Sequence, residues 1–416
     1  MKHPIVGRGS NSANLRRYNE RLLLQALRRT QPASKADLAR SANLTSTSVG
    51  SIITALEQAG LIESTGRRVQ GLRGQPASLL QLAPQGAFGI GVRLDRGGIE
   101  CVLVNFAGEV LARRSHDMVL PAPAKVLELV GDDIRALLAC LSPVERERLT
   151  GIGVAQPFNL GSWLRELGLS PNVFDAWHDV DFASELASIT PLPVFSENDG
   201  NAAAIAELFY GCGRQASDFI YLFLGPAIGG GIAIDGDCLR GAKSNAGDIA
   251  VMPVPPSRLP SAPQPSGAWD ILLSRASLNA LARHLRYCGE VADTRAALEA
   301  CVARGMPAVD AWIDDCIDAL APAVRAMLCV TDAPVVVVDA DIDAGLIDTL
   351  MKRLHAALVL GAPEARGTPE LMRGSFGPDA GAIGAASLPM FFNFSPRAGI
   401  LKGADSQAQE INHVPH

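Results

Sequence analysis

The chain has 416 residues, is 48% hydrophobic and carries a formal net charge of −6. That length and apolar content exclude general disorder and leave room for two or three packed domains. The charge is uneven: residues 1–82 hold 12 Lys/Arg against 4 Asp/Glu, a formal +8, so the remainder carries −14.

A small basic module ahead of a large acidic body points to nucleic acid for the front and a different ligand for the back. No apolar run is long enough to span a bilayer, and the basic N-terminus is not followed by the apolar stretch of a secretory signal. The eight cysteines are scattered without a CxxC pair, which suggests neither a zinc site nor a disulfide framework and fits a reduced, cytoplasmic compartment.

In chain order, Tyr18–Thr30 reads as a helix with Leu23 and Leu27 inward, ringed by Arg16, Arg17, Arg21, Arg28 and Arg29. Ser34 can cap a second helix, Lys35–Ser41, with Asp37 in its first turn. Thr45 starts a third, in which Val49, Ile52, Ile53 and Leu56 form an i, i+3, i+4, i+7 core stripe. The short link between the second and third helices matches a helix-turn-helix. Two strand-like pieces, about 61–65 and 77–82, then flank an arginine- and glycine-rich stretch that suits a hairpin wing.

Such a motif lays the start of its second helix in the major groove. Here that end offers Thr45, Ser46, Thr47, Ser48 and Ser51, hydroxyls able to bond phosphates and base edges. Arg67, Arg68 and Arg73 on the wing could reach backbone or minor groove. Ser34 and Gln75 complete the candidate DNA contacts. No Lys or Arg lies between Thr45 and Gln58, so affinity is expected to lean on the arginine-rich flanks. The competing readings are a plain three-helix bundle and a protein-docking winged helix.

Beyond Ala87 the texture becomes strand-and-helix. Strands are expected at Gly89–Val92, Cys101–Val104, Gly151–Val154, Leu192–Phe195, Phe219–Leu224 and Pro334–Val338. Helices are expected at Val126–Ala139, Ala202–Phe209, through most of 268–331, and at Gly345–Ala357 and Ala380–Leu388. This alternation implies a layered α/β architecture, with an approximate doubling of strand-then-glycine-turn units.

Ligands in such folds sit at strand ends. Glu197-Asn198-Asp199 ends one strand and faces a helix N-terminus, where a carboxylate could act as base toward a sugar hydroxyl, bond to it, or simply cap the helix. Gly229-Gly230-Gly231 would let backbone approach a ligand, and Asn245-Ala246-Gly247-Asp248 is a polar turn.

These segments carry a family resemblance when taken together. Gly151-Ile152-Gly153-Val154, Pro171-Asn172 with Trp177, Glu197–Ala204, the glycine turn at 225–231, Gly241-Ala242 with Ala246-Gly247-Asp248, and Ala380–Ala386 follow in the order seen in the ROK family of repressors, open reading frames and sugar kinases. The resemblance covers about residues 14–400.

It implies an α/β chain with an N-terminal winged helix-turn-helix over 1–82 and a two-lobed, actin-like (ribonuclease H-like) body. The first lobe is expected at 83–205, completed by the C-terminal helix at about 380–400. The second is expected at 206–379, with a loose tail at 403–416. The sugar contacts it implies are Asn172, Asn198, Asp199, Asp248 and Asp270, with Asp199 at the position of the kinase base.

Departures from the family pattern redirect the function. At the first phosphate loop the chain reads Arg93-Leu94-Asp95-Arg96-Gly97, with Arg93 where kinases resemble one another in having Asp. At the second it reads Gly225-Pro226-Ala227-Ile228-Gly229, where Pro226 removes an N–H. The adenosine-side glycines are replaced by Asp339-Ala340. Val251 stands for the family's zinc-binding His, and Met252–Ser266 has no cysteine.

The expectation is a cytoplasmic regulator, a repressor of carbohydrate-use genes, with no catalytic residue, no metal and no cofactor. Its partners would be double-stranded operator DNA, a carbohydrate effector and a second copy of the chain, as a homodimer or a dimer of dimers, with no membrane. The alternatives are a ROK sugar kinase with a DNA-binding extension, and a regulator whose body is only a dimerisation scaffold.

Overall fold

The computed structural model describes residues 12–68, 77–165, 167–265, 267–342, 344–362 and 367–401. The loose tail expected at 403–416 lies outside them.

Three helices, Ser12–Thr30, Lys35–Ser41 and Ser46–Gln58, pack on a three-stranded sheet in which Ala77–Leu82 lies between Ala33–Ser34 and Ile62–Arg68. Leu23, Leu27, Leu38, Val49, Ile53 and Leu80 meet in the core, each at most 1% exposed. Ser34 and Asp37 form a reciprocal capping box at the second helix. Thr45 caps the third, and Asn43 takes a positive φ in the turn between the two. This is a winged helix, and its first helix begins six residues earlier than the apolar pattern indicated.

The body holds two five-stranded sheets of one topology. The first runs Val110–Asp117, Gly98–Asn105, Phe88–Asp95, Leu149–Gln156, Val194–Asn198; the second runs Asp237–Cys238, Ile228–Ile234, Phe219–Leu224, Val335–Ala340, Glu370–Arg373. In each, the first three strands pair antiparallel and the last two join in parallel. This repeat is the doubling that the glycine turns hinted at. Val110–Asp117 pairs back onto Gly98–Asn105 through a hairpin turn at Ala107-Gly108-Glu109; as an edge strand it is mostly exposed and lacks an alternating apolar face.

Two small-residue helices join the lobes. Ala380–Phe394 covers the first sheet, and Asp199–Phe209 packs between it and the second. Their closeness depends on missing side chains. A Cβ on Gly153 would collide with the Ala385 carbonyl, and one on Gly384 would lie 2.6 Å from Ala202. The lobe boundary expected at 205/206 falls inside the continuous helix Asp199–Phe209, so the chain crosses to the second lobe only after Phe209. An all-small helical face reads the same whichever sheet it covers, which hid the crossing point.

Among the described residues no helix is long and apolar enough to cross a membrane.

Candidate functional site

The winged helix presents an open hydroxyl face. Thr45, Ser46, Thr47, Ser48 and Ser51 are all exposed at the start of the third helix. Thr45 and Ser48 are partly spent on each other: Thr45 Oγ1 accepts from the Ser48 N–H at 3.3 Å and donates to Ser48 Oγ at 2.9 Å. Ser46, Thr47 and Ser51 point outward from the same end.

Gly50 lies between them, and a Cβ there would meet nothing within 4 Å. Glycine inside a helix costs about 1 kcal/mol relative to alanine. Among the described residues no neighbour requires a glycine there. An isolated glycine in a helical pattern carries no distinctive signal, so Gly50 does not stand out in the sequence.

The other candidate DNA contacts fare differently. Ser34 is 8% exposed, and its hydroxyl is held in the capping box, so it is not presented to a duplex. Arg67 and Arg68 lie on the outer strand, but their side chains fall outside the description, as do Arg73 and Gln75 entirely.

The arginine flank of the first helix is also corrected. Arg21 and Arg28 are each 5% exposed and face the body. Arg21 Nη1 donates to the Phe392 carbonyl at 3.1 Å, and Arg28 lies 3.6 Å from the Phe209 ring centroid. Arg29 Nε donates to the Gly213 carbonyl at 3.1 Å. Three of the five arginines therefore fasten the module to the body. Helical periodicity placed them outside the module's own core but could not show that another surface covers them.

A second site lies between the lobes. A cavity of about 570 Å³ opens at the carboxyl ends of the parallel strands. The first lobe contributes Arg93, Asp95, Arg96, Asn198 and Asp199, and the second contributes Phe223, the turn Gly225–Gly230, Asn245 and Asp248. Val119, Phe158 and Trp163 are among its apolar lining.

Asn198 is both cap and lining: its Oδ1 accepts from the Gly200 N–H at 3.0 Å. Burial, with Asp95 nearby, pushes the Asp199 carboxyl above its ordinary range, and Arg93 opposes that rise. Asp248 accepts from Asn245 Nδ2 at 3.1 Å. Arg96 donates to the carbonyls of Asn159, Leu160 and Ser162, fixing the rim. No sequence signal links Arg96 to carbonyls some sixty residues away.

The structure does not bring all five expected sugar contacts together. Asn198, Asp199 and Asp248 share the cavity, whereas Asn172 and Asp270 do not line it. Asn172 is exposed on a turn. Asp270 is buried, its Oδ1 accepting from Ser274 Oγ at 2.5 Å and from the Ile271 N–H at 2.9 Å. Those local donors turn it inward. Glu197 is likewise turned from the cleft, onto Arg240 at 2.7 Å.

Neither group suggested by the kinase-type members fits well. At the second phosphate loop the Gly225 N–H donates to the Ala227 carbonyl at 3.1 Å and Pro226 has no N–H, so the tip offers little to phosphate. The segment Val251–Pro265 has no Cys or His, and among the described residues no group of three or more His, Cys, Asp or Glu gathers to hold a metal.

A model described as "ROK family" matches residues 89–390, and one described as "MarR family" matches residues 18–67. An uncharacterised protein, y4fQ, of Sinorhizobium fredii is 29% identical over 90% of this chain and 91% of its own. The xylose repressor of Bacillus spizizenii is 24% identical over 64% of this chain and 67% of its own. A glucokinase of Thermotoga maritima is 29% identical over 72% of this chain and 96% of its own. A crystal structure described as a ROK family transcriptional regulator, homologous to the Escherichia coli Mlc protein, superposes with a TM-score of 0.65 at 23% identity, covering 94% of this chain and 99% of that one.

Proposed function

The chain belongs to the ROK family, and from that premise we propose that it is a DNA-binding repressor of carbohydrate-use genes that responds to a sugar or sugar derivative in the interlobe cleft. The observation that carries this reading is the fastening of one helix to two parts of the body. Helix Ser12–Thr30 is held by Arg21 to the C-terminal helix at Phe392 and by Arg29 to Gly213, where the chain crosses between lobes. In this reading, a change in lobe angle reaches the winged helix through these two anchor points. An effector shifts operator affinity only by its differential affinity for the two lobe arrangements. Its hydroxyls would be met by Asn198, Asp199 and Asp248, and its less polar face by Phe158 and Trp163.

Sugar kinases share this body, and Asp199 stands in the cleft as a base would. Against phosphotransfer, the Pro226 loop bonds its own backbone, and Arg93 lies against the start of helix Ala380–Phe394, where a Cβ on Gly381 would come within 2.6 Å of its side chain. The reading therefore includes neither ATP hydrolysis nor a bound metal. It places the protein in the cytoplasm as a homodimer or a dimer of dimers, whose two-fold symmetry would match a two-half-site operator.

The test is fluorescence anisotropy with duplexes from the gene's own upstream region, titrated with salt and with a sugar panel. Nanomolar, steeply salt-dependent binding that one sugar weakens is expected. Absence of salt-sensitive binding to any fragment, or ATP turnover coupled to a sugar, overturns the reading.

A further inference from the structure

The chain crosses between the lobes twice, outward after Phe209 and back between Arg373 and Ala380. One buried side chain reaches both crossings. Glu207, in the last turn of helix Asp199–Phe209, is 0% exposed. Its Oε2 accepts from the Cys212 N–H on the outward crossing at 3.0 Å and from Ser375 Oγ on the return crossing at 3.0 Å. Its Oε1 accepts from the Ser375 N–H. Both crossings press close to this group: a Cβ on Gly211 would collide with the carboxylate and lie 2.7 Å from Ser375 Oγ.

Burying a carboxylate is costly, and here its three donors are all neutral. Burial pushes the Glu207 carboxyl above its ordinary range, against the pull of those donors. An acceptor-only group is nevertheless what the arrangement needs. A glutamine of the same shape has one acceptor oxygen and would turn its NH₂ toward a donor at one of the crossings. The return crossing is also held to the second lobe, where Asp339, 1% exposed, accepts from the Gly377 N–H at 3.0 Å. The outward crossing carries Gly213, whose carbonyl accepts from Arg29 of the winged helix.

We propose that Glu207 is the positioning residue of the interlobe hinge: its carboxylate clasps the outward crossing at Cys212 to the return crossing at Ser375 and so restricts the angle between the lobes. The clasp lies one residue from the point where Arg29 fastens the winged helix, so the same group that restrains the lobes also steadies that anchor.

The full-length protein tests this without DNA or sugar, which keeps the outcome separate from the repressor reading. Cys140 on the first lobe and Cys329 on the second are exposed and take spin labels once the exposed Cys288 is removed by Cys288→Ser. Dilution with unlabelled protein leaves the distance within one chain as the dipolar signal. Glu207→Gln should broaden that interlobe distance distribution by at least about twofold, as further lobe angles become populated. Ser375→Ala, which keeps the backbone N–H, should broaden it less, and it carries the test if Glu207→Gln fails to fold. Asp270→Ala removes hydrogen bonds from within the second lobe and should leave the distribution unchanged. No broadening in Glu207→Gln, or in Ser375→Ala where that variant carries the test, overturns the proposal, as does equal broadening in Asp270→Ala.

Discussion

Arg240 Nε donates to Glu197 Oε2 at 2.7 Å, tying the chain just ahead of Asn245 and Asp248 to the strand end just ahead of Asn198. The Glu197 side chain is 2% exposed, and the guanidinium also lies 4.4 Å from the Phe392 ring centroid. This ion pair joins the two lobes beside the polar residues of the cleft. It explains why Glu197, beside Asp199 in sequence, does not face the cavity.

Arg240→Ala should destabilise the protein by about 3 kcal/mol, the low end for breaking a buried pair, since Arg240 is partly exposed. Burial already pushes the Glu197 carboxyl up and Arg240 opposes it, so the variant's value rises further. The loss should therefore be small at acid pH, where Glu197 is protonated with or without its partner, and grow as pH rises through its folded value. Urea denaturation of both proteins across that range measures the difference.

Gly50→Ala should move stability and function in opposite directions. Open space around the position predicts a gain of about 1 kcal/mol from helix propensity. A methyl group on the face shared with Thr47 and Ser51 should reduce operator affinity by tenfold or more. Thermal denaturation and operator anisotropy give the two numbers. Unchanged affinity would show that this helix face does not approach the duplex.

Ser34→Ala should act through the fold and not through DNA. Removing the cap costs about 1 kcal/mol, while affinity of the folded protein at low temperature stays within about twofold. Asp37, held below its ordinary 3.8 chiefly by the Ser34 hydroxyl and backbone N–H, gives the pH signature. Its contribution is present above the unfolded value and is lost as pH falls through the lower folded value. The stability gap between wild type and Asp37→Asn should close over that acid interval, as followed by circular dichroism.

The cleft residues should separate into two groups. Asp248→Ala and Asn198→Ala, which line the cavity, should weaken effector binding by about tenfold to a hundredfold, as expected for unpaired sugar hydroxyls. Asn172→Ala should change it by less than threefold. Asp270→Ala should lower Tm without a specific effect on affinity, since its partners are Ser274 and Ile271. Calorimetry with the sugar that releases operator distinguishes these outcomes.

The sequence by itself determined the winged helix and the α/β body. Local patterns specify both: the stripe Val49, Ile52, Ile53, Leu56, the caps Ser34 and Thr45, and strands ending in glycine or Asn-Asp. It also placed Asn198, Asp199 and Asp248 as cleft candidates, because chain order along a family pattern survives folding. Only the tertiary structure decided that Arg21 and Arg28 face the body, that Asp270 turns onto Ser274, and that Glu197 belongs to Arg240. Arginine has the same helical periodicity whether water or another surface lies opposite it. For Arg21 and Arg28 the deciding partners, Phe392 and Phe209, lie far along the chain, where no local rule reaches.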